Sequence, residues 1–394
     1  MEYRFANKIK NVNGQAISDI LKASADPSVI ALSGGNPAAE LFPNERLADI
    51  AAEMLRKEPV LTLQYSVARG YAPLRQSVLK MVRERDNIIP NGDDIIITSG
   101  SQQGMDFAGK VLINEGDVVL TEKPSFLGML SSFTGYGAKL VGVDMEDDGI
   151  CIEKLKEALE SYDNIKLLYT IPNFQNPSGI TTSLEKRKEV YRLCREHNVL
   201  IIEDNPYGEL TFTGEKLPSI KTFDTDGIVI YSGSFSKILA PGIRVGYIIA
   251  PAEIIARMAD AKQANDTHSP MITQVMTDEY LKRYDIGENI DRMRALYSRK
   301  CRLMLDAADK YFPSFVTHTN PSGGLFVWCD MGEGYDTLEI YKKAIEQKVA
   351  FVPGAPFMTD GSGTAFRLNY STMPDDKLLL GMQLLGKVLY EAAK

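Results

Sequence analysis

SLEKRKEVYRLCREHNVLIIEDNPY, residues 183–207, carries two structural signals in succession. Residues 183–198 open on a serine suited to cap a helix and keep their charges to one side, the pattern of a helix with one covered face. The next nine, VLIIEDNPY, start as a near-continuous apolar run and end in turn residues, which reads as a strand buried on both faces. A helix that feeds directly into such a strand is the repeating unit of an α/β fold. Five further runs have the strand character: DDIIITSG (93–100), GDVVLTEKP (116–124), IKLLYTIPN (165–173), GIVIYSGS (227–234) and RVGYIIAP (244–251). They predict an α/β protein with a mixed, mostly parallel central sheet flanked by helices.

From residue 284 the pattern changes. DIGENIDRMRALYSRKCRLMLDAADKYF (285–312) is a long charged helix, followed by a Gly-rich hairpin, NPSGGLFVWCD (320–330). We expect a large domain over 46–283 and a smaller α+β domain over 284–394. The N-terminal segment, 1–45, is expected to pack with the small domain and the functional site. A length of 394 residues suits two domains, and 44% hydrophobic against 24% charged residues is an ordinary globular balance. The 52 acidic and 44 basic residues leave a net charge of −8, the wrong sign for a nucleic-acid or anionic-membrane binder. Cys151, Cys194, Cys301 and Cys329 form no CxxC pair, and His197, His268 and His318 share no metal spacing, so no metal site is expected. With no apolar leader and no membrane-length run, a cytoplasmic protein is expected.

The polar clusters that follow these strands carry the chemistry, because ligands gather at the C-terminal ends of strands in α/β sheets. SGSFSKILAPGIRVG (232–246) places Ser234, Ser236, Lys237 and Arg244 in one loop. The hydroxyls and the guanidinium suit a phosphate, and the amine can condense with an aldehyde. Alone, Ser-x-Ser-Lys is most often a solvated loop. Asp204 and Tyr207 end the strand 199–207, where a buried carboxylate needs a positive partner, and a pyridinium nitrogen is one. In ITSGSQQGMDF (97–107), Ser101 and Gln102 open a helix whose N-terminal amides can receive a phosphate. Gly104 to Lys110 mimics a nucleotide-binding Walker A loop, but Val111 stands where the magnesium-holding hydroxyl belongs. Asn176 is the side chain of interest in NFQNPSGI (173–180), and Arg367 in FRLNYS (366–371) can clamp a carboxylate through two parallel hydrogen bonds.

In order and spacing these segments resemble the fold type I, class I/II aminotransferases, in the branch of the α-aminoadipate and kynurenine aminotransferases and the aminotransferase-like domains of MocR-type regulators. The resemblance covers nearly the whole chain, from SGGNPAAELFP (33–43) through LQYSVARGYAPLR (63–75), TEKPSF and KQANDTHSP to FVPG (351–354) and FRLNYS. It implies pyridoxal 5′-phosphate held as a Schiff base by Lys237, Asp204 at the ring nitrogen, and Asn176 with Tyr207 at the ring hydroxyl. It implies a phosphate held by Ser101, Gln102, Ser234, Ser236 and Arg244, with Phe126 stacked on the ring. Tyr65 would reach the neighbouring subunit's cofactor, which implies a homodimer with shared active sites. Gly35, Asn176 and Arg367 would meet the α-carboxylate of the amino acid or 2-oxo acid substrate, in a ping-pong transfer with a partner such as 2-oxoglutarate.

Relatives specific for α-aminoadipate look to carry an arginine where this chain places Ser18, which argues against a dicarboxylate preference. Phe126, Tyr71 and the apolar N-terminal segment would favour aromatic or large aliphatic amino acids. Two alternatives stay open: a β-lyase that cleaves C–S bonds with the same residues, and a non-catalytic cofactor-sensing regulator. The regulators carry an N-terminal winged-helix domain, for which motifs starting at residue 33 leave no room.

Overall fold

The computed structural model describes residues 3–10 and 26–392, so Ser18 lies outside the described residues. The strands are β1 (Ile30–Ala31), β2 (Asp93–Thr98), β3 (Val118–Lys123), β4 (Lys139–Glu146), β5 (Gly149–Ile150), β6 (Ile165–Thr170), β7 (Leu200–Asp204), β8 (Val229–Ser234), β9 (Gly246–Pro251), β10 (Thr317–His318), β11 (Phe326–Asp330), β12 (Val349–Ala350), β13 (Val352–Pro353) and β14 (Ala365–Asn369). Eight of them form one sheet in the order β2-β9-β8-β7-β6-β3-β4-β5. It is mixed and mostly parallel: β9 runs against both its neighbours and β5 runs against β4. All six strands expected from apolar runs lie in it.

Alternate residues of the strands feed two cores, one on each face. Leu167, Tyr169, Ile202 and Ile230 belong to the larger, and Leu120, Leu168, Ile201 and Val229 to the other. This period-two division explains why the strands read as continuous apolar runs. The helix Leu184–Glu196 is capped by Ser183, whose hydroxyl accepts from the Lys186 amide at 3.5 Å. One residue of its charged pattern, Arg187, is wholly buried, donating to the Thr182, Pro172 and Pro218 carbonyls and to Asn173 Oδ1.

A second, four-stranded antiparallel sheet has the order β10-β11-β14-β13, and β1 pairs with β12 in parallel. The long charged stretch is a single helix, Ile286–Tyr311, with Asp285 as its N-terminal cap. Among the described residues no helix is long and apolar enough to cross a membrane. The strands β2, β3, β6, β7 and β8 point the same way, so their C-terminal ends, and the polar clusters that follow them, meet along one edge.

Candidate active site

A cavity of about 310 Å³ opens at that edge. Its lining includes Gly35, Ser101, Gln102, Phe126, Asn176, Asp204, Tyr207, Ser234, Ser236, Lys237, Arg244 and Arg367. Among the described residues expected to meet cofactor or substrate, only Tyr65 and Tyr71 stand outside it. Tyr65 is 81% exposed and meets His268 edge-on at 5.9 Å. The Tyr71 amide donates to Gln274 Oε1 at 2.8 Å.

One corner is built for an anion. Gly100, at φ +85°, turns the chain from β2 into the helix Ser101–Leu112, whose first amides are free of intrahelical partners. A Cβ at Gly100 would fall 2.2 Å from Arg244 Nη2, the guanidinium that reaches over this turn to the Ser99 carbonyl at 3.0 Å. Ser234 and Ser236 are buried beside it, the Ser236 amide donating to Ser234 Oγ at 3.1 Å. The segment that mimics a Walker A loop lies inside this helix, so it forms no loop.

Asp204 ends β7 fully inside the protein. Tyr169 donates to its Oδ2 at 2.9 Å, but Oδ1 has no partner. Burial pushes the Asp204 carboxyl up to about 7 against the hydroxyls of Tyr169 and Ser232, with a smaller upward push from Glu122. Lys237 lies in the loop between β8 and β9, and its Nζ donates to the Gly35 carbonyl at 2.7 Å. Burial, and then Arg367 and Arg244, hold its amine down to about 8, near enough to neutrality for the free base to be accessible.

Arg367 comes from the middle of β14. It donates to Asn176 Oδ1 at 2.7 Å and to the Ser33 carbonyl at 3.0 Å, and its guanidinium stacks over Phe326 at 4.2 Å. Its Nε has no partner, and among the described residues no carboxylate pairs with it. A buried guanidinium without a counter-charge is costly, and burial lowers it to about 10. The remaining lining is largely apolar: Met105, Leu127, Ile171, Phe326, Val352 and Pro356.

Sequence reasoning did not single out Tyr169, Phe326, Val352 or Pro356. Tyr169 had a faint signal, since it shares the alternation of β6 with Leu167 and so faces the side on which Asp204 lies. The other three come from remote segments and carry no local sign of their place.

An anion corner, an unpartnered buried carboxylate oxygen, a buried amine of lowered basicity and an unpaired arginine around one cavity define an enzyme site for a phosphorylated, carbonyl-reactive group and a carboxylate substrate. Residues 27–383 match the family model described as aminotransferase class I and II. The aromatic-amino-acid aminotransferase 1 of Thermococcus litoralis is 37% identical over 399 residues, covering 100% of this chain and 95% of that protein. A crystal structure of Pyrococcus horikoshii kynurenine aminotransferase, in complex with PMP, superposes with a TM-score of 0.95 at 35% identity, over 99% of this chain and 98% of the other. The α-aminoadipate aminotransferase LysN of Thermus thermophilus, complexed with N-(5′-phosphopyridoxyl)-L-leucine, gives 0.90 at 36% identity, over 99% and 98%. The chain belongs to the class I and II aminotransferases. It is an enzyme that transfers amino groups, with pyridoxal 5′-phosphate as cofactor and amino and oxo acids as substrates.

Proposed function

We propose that this enzyme moves the amino group of an L-amino acid with an aromatic or large aliphatic side chain to a 2-oxo acid such as 2-oxoglutarate. The observation that carries the reading is the convergence on one cavity of the Lys237 amine, the unpartnered Asp204 Oδ1 and the unpaired Arg367.

These residues fit the cofactor. Its phosphate would lie against Ser101, Gln102, Ser234, Ser236 and Arg244. Its ring nitrogen would take the free Asp204 oxygen, its ring hydroxyl would meet Asn176 and Tyr207, and Phe126 would cover a ring face. When bound, the ring accepts the electron pair released at the substrate's α-carbon. Asp204 keeps the ring nitrogen protonated. Lys237 would bind the cofactor between turnovers and, once freed by the substrate, would take the proton from the α-carbon on Nζ and return it two bonds further on, to the cofactor carbon bonded to the substrate nitrogen. Arg367, with Gly35 and Asn176, holds the α-carboxylate and sets which bond at the α-carbon faces that amine. Both half-reactions use the same cavity, so the kinetics are ping-pong.

The substrate preference is supported by the lining: beyond Lys237, Arg244 and Arg367 no described lining residue is cationic, and Met105, Phe126, Leu127, Phe326 and Val352 offer an apolar wall to a side chain. The reading includes a homodimer in which Tyr65 reaches the neighbouring subunit's cofactor phosphate. It also places the large domain at 46–283 and the small one at 284–394, with 1–45 packed against the small domain and the site. A cytoplasmic location is consistent with four cysteines that form no disulfide.

Assay of a panel of amino acids with 2-oxoglutarate, alongside pyruvate and sulfide release from cystathionine, tests the reading. Parallel double-reciprocal lines and a preference for tyrosine, phenylalanine or leucine over 2-aminoadipate are expected. Dominant release of pyruvate would replace transfer with β-elimination.

A further inference from the structure

Glu122, the last residue but one of β3, is wholly buried and does not line the cavity. It shares the alternation of Leu120 and so faces the opposite side of the sheet from Tyr169. Its carboxylate accepts from Thr170 Oγ1 at 2.5 Å, from the Ile171 amide at 3.2 Å to each oxygen, and from Gln175 Nε2 at 3.0 Å. All three partners are donors. Among the described residues no cation faces it; the titratable groups it acts on are Asp204 and Tyr169. Burial pushes its own carboxyl up to about 7 against those three hydrogen bonds. A buried acid without a counter-ion is costly to the fold, and nothing in the transfer chemistry described above uses it.

Gln175 shows what this acid organises. Its Nε2 also donates to the Pro124 carbonyl at 2.6 Å, and its Oε1 accepts from the Ser178 amide at 2.8 Å and hydroxyl at 2.7 Å. The following residue is Asn176, which holds Arg367 at 2.7 Å and also meets the Tyr207 phenol. Pro124 lies two residues before Phe126, another residue of the cavity lining. The buried Glu122–Gln175 pair therefore ties together the two loops, 124–126 and 171–178, that present Phe126 and Asn176.

We propose that Glu122 is a positioning residue for the transfer reaction: through Gln175 it sets the loop that presents Asn176 to the cofactor's ring hydroxyl and to Arg367. The proposal rests on the cofactor placement given above. Glu122 needs only acceptors here, so Glu122→Gln sets a new amide N–H2 against donors and leaves one oxygen for three partners.

The test uses the full-length holoenzyme. Glu122→Gln is expected to melt cooperatively and retain cofactor, but with two changes. The pH midpoint of the bound cofactor's absorption change rises by about one unit, because Asn176 supports the deprotonated ring hydroxyl less well. The apparent dissociation constant for the amino acid, from single-turnover traces, rises about tenfold, with a smaller change in maximal rate. The double variant Glu122→Gln, Gln175→Glu restores a donor and an acceptor between the two side chains but not the bond to the Pro124 carbonyl, and should recover the two shifts only in part. If Glu122→Gln does not fold, Gln175→Met removes the same link, and the same two shifts are expected. A folded variant with the wild-type midpoint and wild-type dissociation constant overturns the proposal alone. A wild type without any pH-dependent band from bound cofactor overturns the cofactor placement, and the proposal with it.

Discussion

Asp204 is a carboxylate held ready for a cation. Without one, its folded pKa of about 7 lies above the unfolded value, so the folded protein binds the extra proton over the interval between. Stability therefore falls as pH rises from about 4 to 7, and the ionised form is the strained one above that. Asp204→Asn is expected to raise the melting temperature of the cofactor-free protein at pH 8, by about 1–3 kcal/mol of stability, with the gain vanishing near pH 4. The same change should lower transfer by about a hundredfold or more, since the amide no longer holds the ring nitrogen protonated. Calorimetry at the two pH values checks the sign. At this scale Lys237, Asp204, Ser234, Ser236 and Arg244 were legible because they interrupt or follow apolar strands at positions where a polar side chain needs a reason. Glu122 and Tyr169 were not: inside VVLTEK and IKLLYT they read only as strand.

The elements matter through one close approach. At Gly246, where β9 begins, a Cβ would sit 2.4 Å from the Ser101 amide nitrogen and 2.5 Å from the Gly100 carbonyl carbon. That backbone belongs to the helix N-terminus at the anion corner, and it has no flexible end to give way. Gly246→Ala should push the helix from β9, costing about 1–3 kcal/mol, and weaken cofactor binding at least tenfold while the sheet survives. Titration of the cofactor-free variant with pyridoxal phosphate measures the loss; unchanged affinity would mean that the corner does not hold the phosphate. Six strands of the central sheet were legible, since burial on both faces leaves long apolar runs. The strand β4 was missed because Lys139, Asp144 and Glu146 break its run at the less covered side of the sheet. Gly246 gave no signal, because a glycine inside RVGYIIAP reads only as part of the strand run.

At the scale of the molecule, Val60, Leu63, Tyr65 and Val67 stand together in sequence and are 61–81% exposed. Four large side chains in that state on one short segment suit an interface rather than water. The proposed homodimer predicts a sedimentation-equilibrium mass of twice the chain, and weaker cofactor retention in Tyr65→Ala without loss of cavity residues from its own subunit. A monomer with full activity would contradict shared sites. No stretch of a single sequence announces which exposed residues meet a second copy, so this part came from resemblance alone.

The central claim is that Lys237 carries the cofactor and hands it to the substrate. The measurement is the absorption spectrum of the purified protein with pyridoxal phosphate, before and after glutamate, for the wild type and Lys237→Ala, followed by borohydride reduction and peptide mapping. The account predicts a near-visible band in the wild type that glutamate removes, cofactor mass on the peptide containing Lys237 after reduction, and neither in the variant. Cofactor mass on another lysine, or a variant that still transfers amino groups at the wild-type rate, would contradict it.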